Sequence, residues 1–438
     1  MGWKKIKLGE VLKNREGRYK PNDPTIAGLK RIDKINFSGQ IFLSDKGSNT
    51  DMILIKKGDL VISGINVEKG ALAVYEGEED ILATIHYSSY IFDTDKIDID
   101  FLKVFLRSPD FIQLLKEQVP GGIKTEIKPK HILPLEVYFP ETTMEQKAIA
   151  EHFFEKEAKL KQLNEHLAHQ LTLISQLEQT ILQEAVQGKL VPQDPNDEPA
   201  SELLKRIKAE RQKSLPAGAK RRQEKPLPPI KPEEIPFDIP ENWVWCRLGE
   251  IGESTIGIIF KPSQVGKIGI PVLRANNVQN GKIDYADLIL VNTEVREKQI
   301  ANAGDILLCV RSGSNNLIGK AAMIEKDGMS FGAFMSLYRS EFNSYILKFM
   351  HSDIFKKQIN DKKSTGINQL TQGTLNNIII PLPPLSEQKR IVAEIEKQLA
   401  KTKQLKEHII ANQQATEQLL KALLHQAFEV KEMEEVNS

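Results

Sequence analysis

Cysteine is nearly absent: Cys246 and Cys309 are the only two in 438 residues. Two thiols so far apart supply neither a disulfide framework nor a cysteine zinc cluster, which points to a reducing compartment, the cytoplasm. Long apolar runs are missing too, and nothing approaches the roughly 20 residues a membrane helix needs. The start, "MGWKKIKLGEV", has no apolar core of the secretory type. Net charge is almost nil, with 60 Lys and Arg against 59 Asp and Glu. That excludes a globally basic chain, but not a basic face on one side.

The signatures of common chemistry are lacking as well. There is no glycine-rich phosphate loop, no Gly-x-Gly-x-x-Gly turn, no His-Glu-x-x-His pair among the eight histidines, and no Asn-Pro-Pro-Tyr or Asp-Pro-Pro-Tyr segment. We therefore expect no catalytic residue, no metal and no cofactor. One pattern competes: Asp110 followed by Glu126-Ile127-Lys128 has the loose spacing of a metal-dependent nuclease. Asp110 also stands where a helix cap is expected, and the second half reads "INQLTQ" where the Glu and Lys should fall.

What is present is a repeat. "WKKIKLGEV" at Trp3 returns as "WVWCRLGEI" at Trp243, "KKGDLVISGIN" at Lys56 as "NAGDILLCVRSGS" at Asn302, and "GGIKTEIKPKHILPLEVYFP" at Gly121 as "STGINQLTQGTLNNIIIPLP" at Ser364. The offset stays between 240 and 248, which argues for tandem duplication. Each half mixes short β-branched runs with Gly, Asn and Ser punctuation and a few short helices, the pattern of an α+β domain with polar loops. A long helix follows each.

From Thr142 to about Gln187 no proline or glycine interrupts, and Phe153, Leu160, Leu167, Ile174 and Ile181 recur every seven residues, with Leu163 and Leu177 three positions on. This predicts a coiled-coil seam, capped by Thr142 or Thr143 and stopped by Gly188. The second helix places Ile395, Leu405, Ile409, Leu419 and Leu423 in the same frame, with Thr402, Asn412 and Thr416 as polar interruptions. The expected layout is an α+β domain over 1–140, a long helix over 141–190, and a Pro- and charge-rich linker over 191–240 with one helix near Ser201 to Lys213. A second α+β domain over 241–380 and a second long helix over 381–432 complete it.

The most distinctive text lies at the junctions: "IPLPPLSEQKRIVAEIE" at Ile380, "LVPQDPNDEPASELLKRI" at Leu190 and "IPENWVWCRLGEI" at Ile239. Together with the duplicated order of domain and helix, these closely resemble the specificity subunit of type I restriction-modification enzymes. The first junction, "FPETTMEQKAIAEHF", departs from the proline-rich form but keeps Glu145, Gln146 and Lys147. The resemblance implies two target-recognition domains, each reading half of a split, asymmetric site in double-stranded DNA. It implies an antiparallel pair of helices that sets their spacing and docks two methylation subunits, with restriction subunits joining the full complex. Catalysis and the methyl donor would belong to those partners.

Base reading needs Arg, Lys, Asn and Gln at groove edges, with Ser and Thr on phosphates. The first candidates follow the Gly-Asp strands: Ser63, Asn66 and Lys69, then Arg311, Ser312, Ser314, Asn315, Asn316 and Lys320. Tyr87 in "HYSSY" and Arg274, Asn276 and Asn277 in "LRANN" come second. Lys124, Thr125, Asn368 and Gln369, beside flexible glycines, come third. The same residue types dominate ordinary turns for backbone reasons, so both readings stand at this point. A non-specific coiled-coil scaffold and a single-chain nuclease built on Asp110 and Glu126 remain the rival functions.

Overall fold

In the computed structural model the described residues are 2–37, 39–66, 71–118, 126–213, 227–314, 317–361 and 369–428. The chain divides into two units, residues 1–169 with 409–438, and residues 170–408.

In the first unit Trp3–Lys7 pairs antiparallel with Glu136–Pro140, so the ends of the half are zipped together. Between them lie two four-stranded sheets. One runs in the order Leu12–Asn14, Tyr87–Phe92, Leu60–Ser63, Leu72–Val74; the other, Ile41–Ser44, Arg31–Ile35, Ile81–Thr84, Met52–Ile55, contains one parallel contact, between Arg31–Ile35 and Ile81–Thr84. Helices Ile99–Leu106 and Pro109–Gln118 supply an aromatic core in which Phe105 meets Phe139 edge-on, with centroids 4.9 Å apart. Edge-to-face packing is favourable beyond the area it buries.

The second unit repeats this plan. Val244–Arg247 pairs with Ile379–Leu382, one sheet runs Glu253–Ile256, Met335–Arg339, Ile306–Cys309, Ala321–Met323, and the other again has a single parallel contact, between Ile270–Leu273 and Ser330–Phe331. The duplicated Gly-Asp pair has a structural reason. Gly58 and Gly304 take φ of +87° and +92°, a region open to glycine. The carboxylates of Asp59 and Asp305 then accept the backbone N–H three residues back, each at 2.9 Å. Both carboxylates are buried, and each has an arginine: Arg15 Nη2 at 2.6 Å from Asp59, Arg339 Nε at 3.0 Å from Asp305. The two arginines come from unrelated positions in the repeat.

The long helices are Thr143–Val186 and Leu385–Phe428, 44 residues each, hence about 65 Å at 1.5 Å per residue. Thr142 caps the first by accepting the Glu145 N–H at 3.2 Å. Gly188, at φ +72°, ends it: Lys189 N donates to Glu184 O and Gly188 N to Ala185 O, the paired bonds of a left-handed glycine stop. In the first unit Ala150 and Phe153, near the start of one helix, share a core with Leu424 and Phe428, at the end of the other. In the second unit Ile181 and Val186, at the end of the first, share a core with Ile391 and Ile395, at the start of the second. The pairing is therefore antiparallel, as expected of two α+β domains joined by a coiled coil.

The seam itself differs from the sequence expectation in its second row. Phe153, Leu167, Ile174, Ile181, Ile395 and Ile409 are buried, and Leu160 and Leu423 partly so, but Leu405 and Leu419 are half exposed, as are Leu163 and Leu177. The positions four residues on, Glu157, Asn164, Leu171, Glu178 and Ala185, are the shielded ones. At 100° per residue, i+4 lies 40° to one side of i and i+3 lies 60° to the other; packing occurs on the former side. Thr402 and Thr416 are thus members of the buried row, not breaks in it, whereas Asn412 faces outward. Glu178 holds the row together in the second unit, accepting from Thr402 Oγ1 at 2.8 Å and from Lys406 Nζ at 2.6 Å.

The proline-rich stretch is more firmly held than a linker. Helix Ala200–Lys213 buries Ala200, Leu203 and Leu204 in the second core beside Trp243. The nearly buried Arg247 guanidinium donates to the Pro228, Pro229 and Asn377 carbonyls and to Glu234, which fastens the described end of that stretch to the domain.

Candidate nucleic-acid interface

Three segments selected for their polar residues converge in the first unit. Gly64 N donates to His86 O at 2.9 Å, and Ile127 N donates to Gly64 O at 2.8 Å. A Cβ at Gly64 would stand 2.5 Å from the Ile127 carbonyl oxygen, so in this half the strands approach too closely for a side chain there. Across it His86 Nδ1 lies 3.0 Å from Glu126 Oε1, and Lys128 Nζ lies 3.3 Å from Oε2. Ile65, next to the crossing, is 54% exposed.

The second unit makes the same crossing with other side chains. Val310 N donates to Phe334 O at 2.9 Å, and Leu370 N to Val310 O at 2.7 Å. Register confirms the match, since Ser63 pairs with Tyr87 as Cys309 pairs with Met335. Arg311 is exposed, forms a bridge with Gln369, and carries its guanidinium carbon 5.3 Å from the centre of the Phe334 ring. Phe334 is 55% exposed and borders an open cleft of about 450 Å³ with Ile258, Ile259, Phe260, Arg274 and Asn276.

The remaining candidates separate by burial. Asn277 is buried and braces its loop, accepting the Arg274 N–H at 2.8 Å and donating to the Asp284 and Asp287 carbonyls, so its amide is spent on the fold. Arg274 Nη2 and Asn276 Nδ2 both donate to Asp287 Oδ2, at 3.0 and 2.9 Å. Ser63 is buried in its strand, and Tyr87 is half-buried against the sheet core, where burial pushes its phenol up. Asn66 sits in the turn beyond Gly64, accepting the Ala71 N–H. Ser312 Oγ accepts the Ser314 N–H at 3.1 Å, and Lys320 Nζ reaches the Val278 carbonyl at 3.4 Å. Lys69, Lys124, Thr125, Asn315, Asn316 and Asn368 lie outside the described residues.

Sequence reasoning passed over Ile65, His86 as a partner of Glu126, and Phe334. The offset could have found Phe334, because it stands 248 residues after His86. Asp110 and Glu126, the nuclease-like pair, have different partners: Asp110 Oδ1 faces His425 Nδ1 at 2.9 Å, and Glu126 faces His86 and Lys128.

Residues 240–412 match the family described as type I restriction modification DNA specificity domain. This part of the chain is similar to such a specificity domain. The chain is 36% identical over 242 residues to the EcoAI specificity subunit of Escherichia coli, 53% of this chain and 41% of that one. It is 33% identical over 292 residues to the EcoEI specificity subunit of the same species, 63% of this chain and 48% of that one. The matches thus span less than half the length of either relative. A solved chain from work on complex assembly and conformational transition of the type I R-M system superposes with a TM-score of 0.64 at 18% identity, over 98% of this chain and 97% of that one. That likeness shows a shared fold. The family resemblance of the junction sequences is borne out, and the matched residues contain the whole of the Arg311, Phe334 and Gln369 crossing. No helix among the described residues is long and apolar enough to cross a membrane.

Proposed function

We propose that the chain is the sequence-specific DNA-binding subunit of a type I restriction-modification complex, non-catalytic in itself and cytoplasmic. Its α+β domains, 1–140 and 241–380, each read one half of a bipartite, asymmetric site. The long helices fix the spacing and dock two methylation subunits, to which restriction subunits are added. The observation that carries this reading is the backbone crossing built twice with unlike side chains. A duplicated frame supplies two readers, and unlike side chains give them different preferences. A scaffold that only joined proteins would have no use for that divergence.

The test is selection of duplexes from a randomised pool by the full chain. Recovery of two unlike half-sites at a fixed separation supports the reading, and enrichment of no sequence rejects it in favour of the scaffold. Purification of the native complex, followed by mass spectrometry, checks the partners independently: a DNA methyltransferase is expected.

A further inference from the structure

The two crossings share two backbone hydrogen bonds, and among the matched positions that differ, three pairs flank the crossing. Ile65, His86 and Glu126 in the first half correspond to Arg311, Phe334 and Gln369 in the second. We infer that these are the base-reading positions of each domain, with Arg311 reading a guanine in one half-site and Ile65 packing on a thymine methyl in the other. This rests on the proposed function above.

Three features of Arg311 support its role. Among the described residues no carboxylate pairs with it, whereas Arg274, Arg339 and Arg390 of the same unit pair with Asp287, Asp305 and Asp197. An exposed arginine without an acid partner keeps its five donors for an outside acceptor, and guanine offers two, O6 and N7, in the geometry of the guanidinium fork. The second feature is the ring. Phe334 keeps a large apolar face half in water, and Arg311 lies over it. Stacking of this kind restrains the guanidinium plane, which lowers the ordering cost of a two-point contact. The third is the backbone. The amides of Val310 and Arg311 both donate to the Phe334 carbonyl, at 2.9 and 3.2 Å, and Gln369 stands opposite Arg311 in register. Ring, guanidinium and amide therefore share one rigid frame, and Phe334 is a positioning residue.

In the first half the same place on the frame holds a branched apolar side chain. Ile65 projects into solvent beside a cluster in which His86 and Lys128 both engage Glu126. Glu126 facing a phosphate backbone unaccompanied would repel it; flanked by two bases, it does not. The apolar feature that distinguishes base pairs in the major groove is the thymine methyl, so an exposed isoleucine at a reading position selects A·T in one orientation.

The experiment uses the full chain and its own selected site. Arg311→Ala should relax one guanine in one half-site and weaken binding to the preferred duplex roughly 5- to 150-fold, with the other half-site unchanged. Arg311→Lys, which keeps the charge but not the fork, should relax the same base pair, and Phe334→Leu should do so while Phe334→Tyr retains it. For the first half the probe is a set of duplexes with each thymine replaced in turn by deoxyuridine. One replacement should weaken the unaltered chain severalfold and leave Ile65→Ala unaffected. Ile65 and Arg311 are exposed, so the melting temperatures of their variants should match that of the unaltered chain. If the unaltered chain selects a site but Arg311→Ala and Ile65→Ala leave every position unchanged, the assignment is overturned and DNA reading lies elsewhere in the loops. If the unaltered chain selects no site, the functional reading itself fails.

Discussion

Trp243 donates its indole Nε1–H to Glu387 Oε2 at 2.9 Å, and both side chains are buried. The other carboxylate oxygen accepts from Gln193 Nε2 at 2.6 Å. Glu387 is the glutamate of the second Glu-Gln-Lys junction, so the repeated motif has diverged in use. At the first junction Glu145 is only partly buried and completes the Thr142 cap.

Glu387→Gln should lower stability by about 1–3 kcal/mol, because an amide can accept from only one of the two donors and turns its NH2 toward the other. Urea unfolding followed at the second unit checks this. A loss below about 0.5 kcal/mol would mean that water replaces one donor.

The same site gives a pH dependence. Burial raises the Glu387 pKa above the ordinary 4.5. As pH falls through the raised folded value toward 4.5, the folded chain takes up a proton the unfolded chain has not yet bound, so this contribution favours folding more in that window. Glu387→Gln should remove that component. Asp197 behaves oppositely: the hydrogen bond from Arg390 holds it below 3.8, and its contribution is lost as pH falls through that lower range. Unfolding midpoints of both chains between pH 7 and 3 separate the two.

Gln146 is fully buried, accepting the Asp98 N–H at 2.8 Å and donating to the Pro140 carbonyl at 3.1 Å. Gln146→Leu leaves both unpartnered in the first unit and should cost about 1–3 kcal/mol. Hydrogen exchange at Asp98 should accelerate.

The side of the seam is testable by carboxylates. Ile174→Asp should cost about 3 kcal/mol or more, since it buries a charge without a partner, and Leu177→Asp, half exposed, should stay within about 1 kcal/mol. Equal losses would restore the i+3 row.

Magnesium added to the isolated chain should leave duplex DNA intact, and Asp110→Ala should leave cleavage by the assembled complex within a fewfold of normal. A thousandfold loss with unchanged DNA binding would make Asp110 catalytic. The expected role is structural, through His425.

Much of this architecture was legible because it depends on periodicity and repetition. Thr142, Gly188 and the every-seventh residues act locally, so their roles follow from spacing. The i+4 row did not, because Glu157, Glu178 and Lys406 look solvated in sequence and are drawn inward only by Arg107, Thr402 and one another. Among reading positions, polarity led to Arg311 and Gln369 but also to Asn277, which is spent on its own loop. Phe334 and Ile65 were invisible to that criterion, since nothing in an apolar residue announces that the fold leaves it in water.

Because Ala200 and Leu203 belong to the second core, and Gln193 and Asp197 are hydrogen-bonded to Glu387 and Arg390 beside it, a half-chain cut in the proline-rich stretch near Pro236 would lose part of its own foundation. Ile181 and Val186 extend that dependence back into the first long helix, and the two units meet in sequence at His169 and Gln170, within the helix. Genetic exchange that keeps both cores whole would therefore break the gene inside both long helices, between His169 and Gln170 and between His408 and Ile409, where a heptad pattern lets two parents join in register whenever the crossover preserves the seven-residue phase. Recombination would then deliver a new reader already attached to its length of spacer.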